Sequence, residues 1–102
     1  LSRLAEADPL LRDILADRLL TTVGSGGDTP LIDLGRISDE CNSIAAESDL
    51  IVLEGMGRGV ESNWTERFKC DVARIALLKD RTVVDWVGAK LFDGICRFDK
   101  ND

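Results

Sequence analysis

Four consecutive aliphatic residues, Leu50-Ile51-Val52-Leu53, stand between Asp49 and the abruptly different Glu54-Gly55-Met56-Gly57-Arg58-Gly59. A strand with one wet face alternates apolar and polar residues. An unbroken apolar run implies burial on both faces, which is the mark of a parallel sheet with helices above and below it. A chain that holds such a strand must also supply the covering layers.

The remaining sequence reads as elements of that kind. Asp8 as N-cap and Pro9 at the first helical position open a helix with Leu10, Leu11, Ile14 and Leu15 on one stripe, ending near Asp17. Leu19 to Val23 reads as a short strand leading into a glycine-rich loop, Gly24 to Pro30. Ser38 suits the N-cap of a helix whose apolar positions are Cys41, Ile44 and Ala45. After the Leu50–Leu53 strand, a short helix is expected over Glu61 to Phe68 and a strand over Val72 to Leu78. Asp80 then caps a helix through Val83, Val84 and Val87, closed by Gly88. A last strand is expected over Leu91 to Phe98, with Phe92, Cys96 and Phe98 on one face. Trp64 and Trp86 fall on predicted helices as packing residues.

This alternation predicts the α/β class: a Rossmann-like three-layer sandwich with a mostly parallel sheet. No repeat, low-complexity segment or linker divides the chain, so residues 1–102 form one unit. At 102 residues such a unit buries only about two-thirds of its extended surface, which makes it marginal without partners. The chain begins Leu1-Ser2-Arg3-Leu4, and its single Met is Met56. Both features suggest a processed or truncated protein, here the fragment of a larger domain.

Charge excludes one large class of partners. Nineteen acidic residues outnumber thirteen basic ones, for a net charge of −6, which argues against binding a nucleic-acid backbone. No apolar run approaches the ~20 residues of a membrane span, and a soluble cytoplasmic protein is expected. The three cysteines, Cys41, Cys70 and Cys96, are widely spaced, and there is no His. They read as reduced thiols, Cys41 and Cys96 at buried positions, rather than as a disulfide framework or zinc site. Without His, chemistry must come from carboxylates, Lys or Arg, or from residues elsewhere.

In parallel sheets ligands bind beyond the carboxyl ends of the strands. Two loops are expected at that edge, Gly24 to Thr29 and Glu54 to Gly59. Their glycines let backbone N–H groups approach an anion, although neither loop completes a Walker or dinucleotide fingerprint. Glu54, directly after the apolar strand, is a candidate pocket carboxylate; its plainer role is a partner for Arg58 or a helix cap. Arg58 and Lys69 are the basic residues nearest that loop, able to neutralise a phosphate or simply to sit in solvent.

The run Asp49-Leu-Ile-Val-Leu-Glu54-Gly-Met-Gly-Arg58-Gly-Val, with Asn63 and then Phe68-Lys69-Cys70-Asp71, resembles the signature of the metal-dependent damage-control phosphatases. It is most similar to the branch related to the C-terminal part of eukaryotic pantothenate kinases. The Gly24–Pro30 loop, Leu31-Ile32-Asp33-Leu34 leading to Ser38, and Trp86 to Phe92 agree in order, so the likeness runs from about Asp8 to near the end. The resemblance implies a phosphomonoesterase acting on 4′-phosphopantetheine and its oxidised derivatives, or on sugar phosphates. It also implies a divalent cation (Mn²⁺, Co²⁺, Ni²⁺ or Mg²⁺) held by an Asp-Asn pair and a later Asp upstream of the matched region. No Asp-Asn dipeptide occurs here, so no metal ligand is assigned to this chain.

Carried over by position, Lys69 and Glu54 become the catalytic candidates, and Asp28, Gly55, Gly57 and Arg58 the substrate-binding ones. Glu61 departs from the His common in this branch, which bears on substrate preference. The partners implied are a phosphorylated small molecule and the remainder of the phosphatase domain, with self-association expected of an exposed sheet edge. A non-catalytic α/β module of a pantothenate-kinase-like fusion is the alternative reading. A nucleotide-binding Rossmann half is a third.

Overall fold

The computed structural model describes residues 1–101. Helices α1 (Ser2–Ala7) and α2 (Pro9–Ala16) come first, followed by a 3₁₀ turn at Leu34–Arg36 and helix α3 (Asp39–Ala46). Then come β1 (Leu50–Glu54), a π-helical turn at Met56–Glu61, β2 (Asp71–Leu77), α4 (Arg81–Val87) and β3 (Gly94–Asp99). The chemistry read from the sequence sets several of these boundaries. The Asp8 carboxylate accepts from the backbone N–H groups of Leu10 and Leu11 at the start of α2. Ser38 accepts from that of Cys41 at the start of α3, and Asp80 from those of Thr82 and Val83 at the start of α4. Gly88 ends α4 in the left-handed conformation, φ +74°. Helix α1 carried no such signal and was missed.

The sheet has the order β1-β2-β3 and is mixed. β1 pairs parallel with β2, Leu50 opposite Asp71 through Glu54 opposite Ile75. β2 pairs antiparallel with β3, Val72 opposite Asp99 through Leu77 opposite Gly94. The fold is therefore α/β, but the expected mostly parallel sheet is corrected to one parallel and one antiparallel pair. The reason lies in the excursion after β2. The Leu78 N–H donates to the Asp93 carbonyl (2.9 Å) and the Phe92 N–H to the Leu78 carbonyl (2.7 Å). These bonds close the two ends of the α4 excursion on each other, so the chain re-enters the sheet from the edge it left. Phe92 sits in that closing turn at φ +68°. It does not join the β3 face, which holds Cys96 and Phe98 without it.

Other expectations shift for equally local reasons. Leu19–Val23 forms no strand and has no strand beside it; Leu19 is 77% exposed. The helix expected over Glu61–Phe68 lies earlier, at Met56–Glu61, and Trp64 is in irregular chain. There, guanidinium groups take the carbonyls that a helix would use: Arg74 those of Asn63 and Glu66, Arg97 that of Trp64. Cys41 and Cys70 are half-buried, and Cys96 is exposed rather than buried.

The core lies on one face of the sheet. Val60, Leu78, Val83 and Val84 form its buried centre, with Met56, Trp64, Ala76, Val87, Leu91 and Ile95 packed around them. Trp64 meets Trp86 with ring centroids 6.3 Å apart, tilted by 58°. Helices α1 and α2 pack mainly on each other rather than on the sheet. The radius of gyration, 15.7 Å, correspondingly exceeds the ~13 Å of a compact chain this long.

Where the π-helical turn crosses the end of β1, an added Cβ on Gly59 would stand 2.9 Å from the Leu53 carbonyl oxygen. Gly59→Ala is expected to lower stability by about 1–3 kcal/mol, as overpacking against backbone that cannot yield. Urea denaturation of the purified variant measures it.

Candidate functional site

The glycine-rich loop is fastened to the start of α3. The Ser38 hydroxyl donates to the Gly24 carbonyl (2.7 Å), and the Ser38 N–H donates to the Ser25 carbonyl (2.8 Å). Gly26 crosses this junction at φ +86°, where a Cβ would lie 2.9 Å from the Ser38 nitrogen. Only glycine meets both conditions. The loop so held bounds a cavity of about 430 Å³, lined among others by Ser25, Gly26, Gly27, Asp28 and Arg36. Asp28 is exposed on its wall.

The second loop begins where β1 ends. The Gly55 N–H continues the ladder to the Ile75 carbonyl (2.9 Å), and Gly55 then turns at φ +109° into the Met56–Glu61 turn. Ser62 closes this turn, its hydroxyl donating to the Gly57 carbonyl (2.7 Å). Gly57 lies against the first loop, since a Cβ there would come within 3.1 Å of Leu31 Cδ2 and 3.3 Å of the Pro30 oxygen. Asn63 fixes the junction. It is 2% exposed, and its Nδ2 donates to the carbonyls of Ile32 (3.1 Å) and Arg58 (2.9 Å) and to the Ser62 hydroxyl (2.9 Å). One buried amide thus bonds both loops at once.

The structure brings together the Gly24–Ile32 segment, Gly57 and the Arg58 backbone, with the Arg58 side chain exposed. Glu54 is also exposed, at the carboxyl end of β1 beside a shallow groove lined by Ile75, Leu77, Gly94 and Cys96. Glu54 has no Arg58 salt bridge; the ion pairs among the described residues join Asp99 to Arg74 and to Arg97.

Lys69 is not brought to this edge. It is exposed and lies two residues ahead of β2, where its carbonyl accepts from Asn101 Nδ2 (2.6 Å). Glu54 pairs with Ile75 and Leu50 with Asp71. Four residues of strand, about 13 Å at ~3.3 Å each, therefore separate the level of Glu54 from that of Asp71, and Lys69 lies beyond. Lys69 and Glu54, both catalytic candidates from the sequence, thus stand at opposite ends of the sheet, because the chain from Asn63 to Cys70 travels its length before β2 begins.

A lysine that sequence reasoning passed over does stand at the carboxyl edge. Lys79 lies two residues beyond the end of β2 and is exposed, one residue before the Asp80 cap of α4. Its position between an apolar strand and a helix cap was the signal for it.

The most buried charge also went unread. Arg74 is 1% exposed. Its Nε donates to the Asn63 carbonyl (2.8 Å), Nη1 to Asp99 (2.6 Å) and Nη2 to the Glu66 carbonyl. Burial pushes its pKa below the ordinary arginine value, and the Asp99 carboxylate opposes that. Arg97 bonds Asp99 as well, and its guanidinium carbon lies 4.7 Å from the Trp64 ring centroid. With every partner internal, the group braces the Asn63 segment and is not free to hold a ligand.

Among the described residues, no three of His, Cys, Asp or Glu gather into a set that could hold a metal ion. No helix among them is long and apolar enough to cross a membrane.

Comparison with known proteins follows the same lines. No family model matches the chain. It is 37% identical over 100 residues to a damage-control phosphatase of Arabidopsis thaliana, covering 98% of this chain and 27% of that protein. It is 34% identical over 111 residues to pantothenate kinase 2 of Oryza sativa subsp. japonica, covering 97% of this chain and 12% of that one. It is 31% identical over 52 residues to a 4′-phosphopantetheine phosphatase of Mus musculus, covering 51% and 6%. The chain thus spans about a quarter or less of the length of these curated relatives. It belongs to the damage-control phosphatase family, of which it matches a C-terminal segment.

Proposed function

We propose that this chain forms the substrate-holding part of a metal-dependent phosphatase that hydrolyses phosphomonoesters. The proposed substrates are 4′-phosphopantetheine and its oxidised derivatives, or sugar phosphates. The observation that carries the reading is Asn63, whose amide bonds the glycine-rich loop at Ile32 and the Glu54–Arg58 turn at Arg58. Two glycine-rich segments beyond the carboxyl end of β1 are thereby held at a fixed spacing. That is the preorganisation anion binding needs, since donors already in place cost no reorganisation when charge develops.

Within this site the Gly26–Asp28 backbone and Gly55–Gly57 shape the rim. Arg58 and Lys79 supply positive charge to the phosphoryl oxygens, and Glu54 and Asp28 contact the polar groups of the substrate. In the reaction water attacks phosphorus and the P–O bond to the substrate alcohol breaks, releasing inorganic phosphate and the alcohol. A divalent cation, with ligands from the longer polypeptide, is proposed to polarise the phosphoryl group. Lys69 has no part in this reading, because it lies at the other end of the sheet.

The test is phosphate release by the protein at its full natural length from 4′-phosphopantetheine, its oxidised forms and a sugar phosphate. Mn²⁺, Co²⁺, Ni²⁺ or Mg²⁺ is supplied in turn. Turnover that EDTA abolishes and the metal restores is expected. Absence of turnover on every phosphomonoester would select the second reading, favoured by the match to pantothenate kinase 2: a non-catalytic lobe of a kinase fusion.

A further inference from the structure

The block Phe68-Lys69-Cys70-Asp71 has no place at the carboxyl edge of β1 and β2. It lies where β2 begins, and Val72 there pairs with Asp99 at the end of β3. Asn101 ties the block down: its N–H donates to the Asp71 carboxylate (2.8 Å) and its Nδ2 to the Lys69 carbonyl (2.6 Å). Phe68 and Cys70 line a cavity of about 520 Å³ together with residues just before the block and just after β3. That size lies within the roughly 300–1,000 Å³ typical of small-molecule pockets.

The charge of this cavity runs against that of the chain. Arg67, Arg74, Arg97 and Lys100 line it with only two acids, Glu66 and Asp99, in a protein of net charge −6. Asp99 is already held by two of the cations, Arg74 at 2.6 Å and Arg97 at 3.0 Å. Arg74 is buried and bonded on all sides, and Arg97 lies over Trp64, so both are braced in place. Arg67 and Lys100 differ: they are exposed and join no ion pair among the described residues. A guanidinium fork beside a mobile ammonium suits a phosphate group. The excess of two cations in the lining matches one phosphate dianion rather than a polyphosphate. Half-buried Phe68 and buried Val72 add an apolar wall.

We infer that this cavity is a recognition site for a small organic phosphate, with the phosphate on Arg67 and Lys100 and the carbon portion against Phe68 and Val72. The site stands at the opposite end of the sheet from the Glu54 loop. The inference rests on the cavity and its charge, and it does not depend on phosphatase chemistry.

Phenylphosphonate is a suitable probe, because its C–P bond resists phosphatases and its ring can lie on Phe68. In the protein at full natural length, acetylation of Lys100 is followed by mass spectrometry while phenylphosphonate is titrated through the millimolar range in the presence of EDTA. A ligand that covers the amine slows labelling about ten-fold at about ten times its Kd. The inference expects that slowing at Lys100, its loss in Arg67→Glu at an unchanged melting temperature, and its retention in Arg58→Ala. Absence of phosphatase turnover would leave these expectations as they are. Lys100 labelling that phenylphosphonate leaves unchanged would overturn the inference. Slowing that sodium chloride matches at equal ionic strength, or that survives in Arg67→Glu, would overturn it by reducing the effect to screening. Loss of the slowing in Arg58→Ala would overturn it by moving the phosphate to the Glu54 loop. Lys100 already slow to label without probe, in native buffer against urea, would overturn it by showing the cavity filled.

Discussion

Arg74→Met is expected to lower the stability of the folded protein by about 2–4 kcal/mol, the cost of taking the donors from two backbone carbonyls and one arm from a half-exposed ion pair. The guanidinium is 1% exposed and bonds three separate partners: the Asn63 carbonyl, Asp99 and the Glu66 carbonyl. Methionine fills much of the volume, but it leaves the buried Asn63 carbonyl and the part-buried Glu66 carbonyl without donors, and Asp99 with Arg97 as its remaining ion-pair partner. Domains of this size are stable by roughly 5–15 kcal/mol in total, so the variant stands near the edge of folding. Arg74→Lys recovers only part of the loss, because a single ammonium cannot reproduce a planar fork with three bonds in three directions. Urea midpoints of the two variants against the parent measure both effects. A change under about 1 kcal/mol for Arg74→Met would mean that these bonds are not made in solution.

Asn63 carries the second large effect, and its two closest replacements separate its roles. Asn63→Leu keeps the volume and removes a donor shared among Ile32, Arg58 and Ser62. Leaving such buried acceptors unpaired costs about 2–4 kcal/mol. Asn63→Asp is expected to cost more near neutral pH, because it sets a carboxylate against oxygens that all require a donor. With both, the glycine-rich loop loses its bond to the Arg58 turn, so kcat/KM should fall about ten- to a hundred-fold even below the unfolding transition. The comparison is steady-state kinetics beside a thermal melt of the same preparations. Loss of activity that only tracks unfolding would make Asn63 a brace without influence on the site.

Local chemistry was legible where it is self-contained. The caps at Asp8, Ser38 and Asp80, the strand at Leu50 and the turn at Gly88 depend on neighbours within a few residues, and each is where those residues put it. What misled were features decided by distant partners. Leu19–Val23 has the composition of a strand but no strand beside it. The segment after Ser62 could have been helical by composition, yet Arg74 and Arg97 claim its carbonyls from another part of the chain. The direction of β3 was set by two hydrogen bonds across the base of the α4 excursion, which no periodicity encodes. For the site, both glycine-rich loops could be read in the sequence because glycine marks its own conformational need at Gly26 and Gly55. Lys69 was named for its position in the resemblance and its nearness in sequence to the Glu54 loop, whereas the parallel pairing of β1 with β2 carries it to the opposite end of the sheet.

That difference offers the most direct measurement of the account's central claim, that the substrate is held at the carboxyl edge of β1 and β2. In the full-length protein, kcat/KM for 4′-phosphopantetheine is compared among Arg58→Ala, Lys79→Ala and Lys69→Ala, each checked for an unchanged melting temperature. All three side chains are exposed, so removing them should leave stability within about 0.5 kcal/mol. The account predicts losses of about ten- to a thousand-fold for Arg58→Ala and Lys79→Ala, the range expected when a cation on developing phosphoryl charge is removed. It predicts a change under about two-fold for Lys69→Ala. A large loss in Lys69→Ala with near-normal activity in the other two would put the chemistry at the opposite end of the sheet and contradict the account.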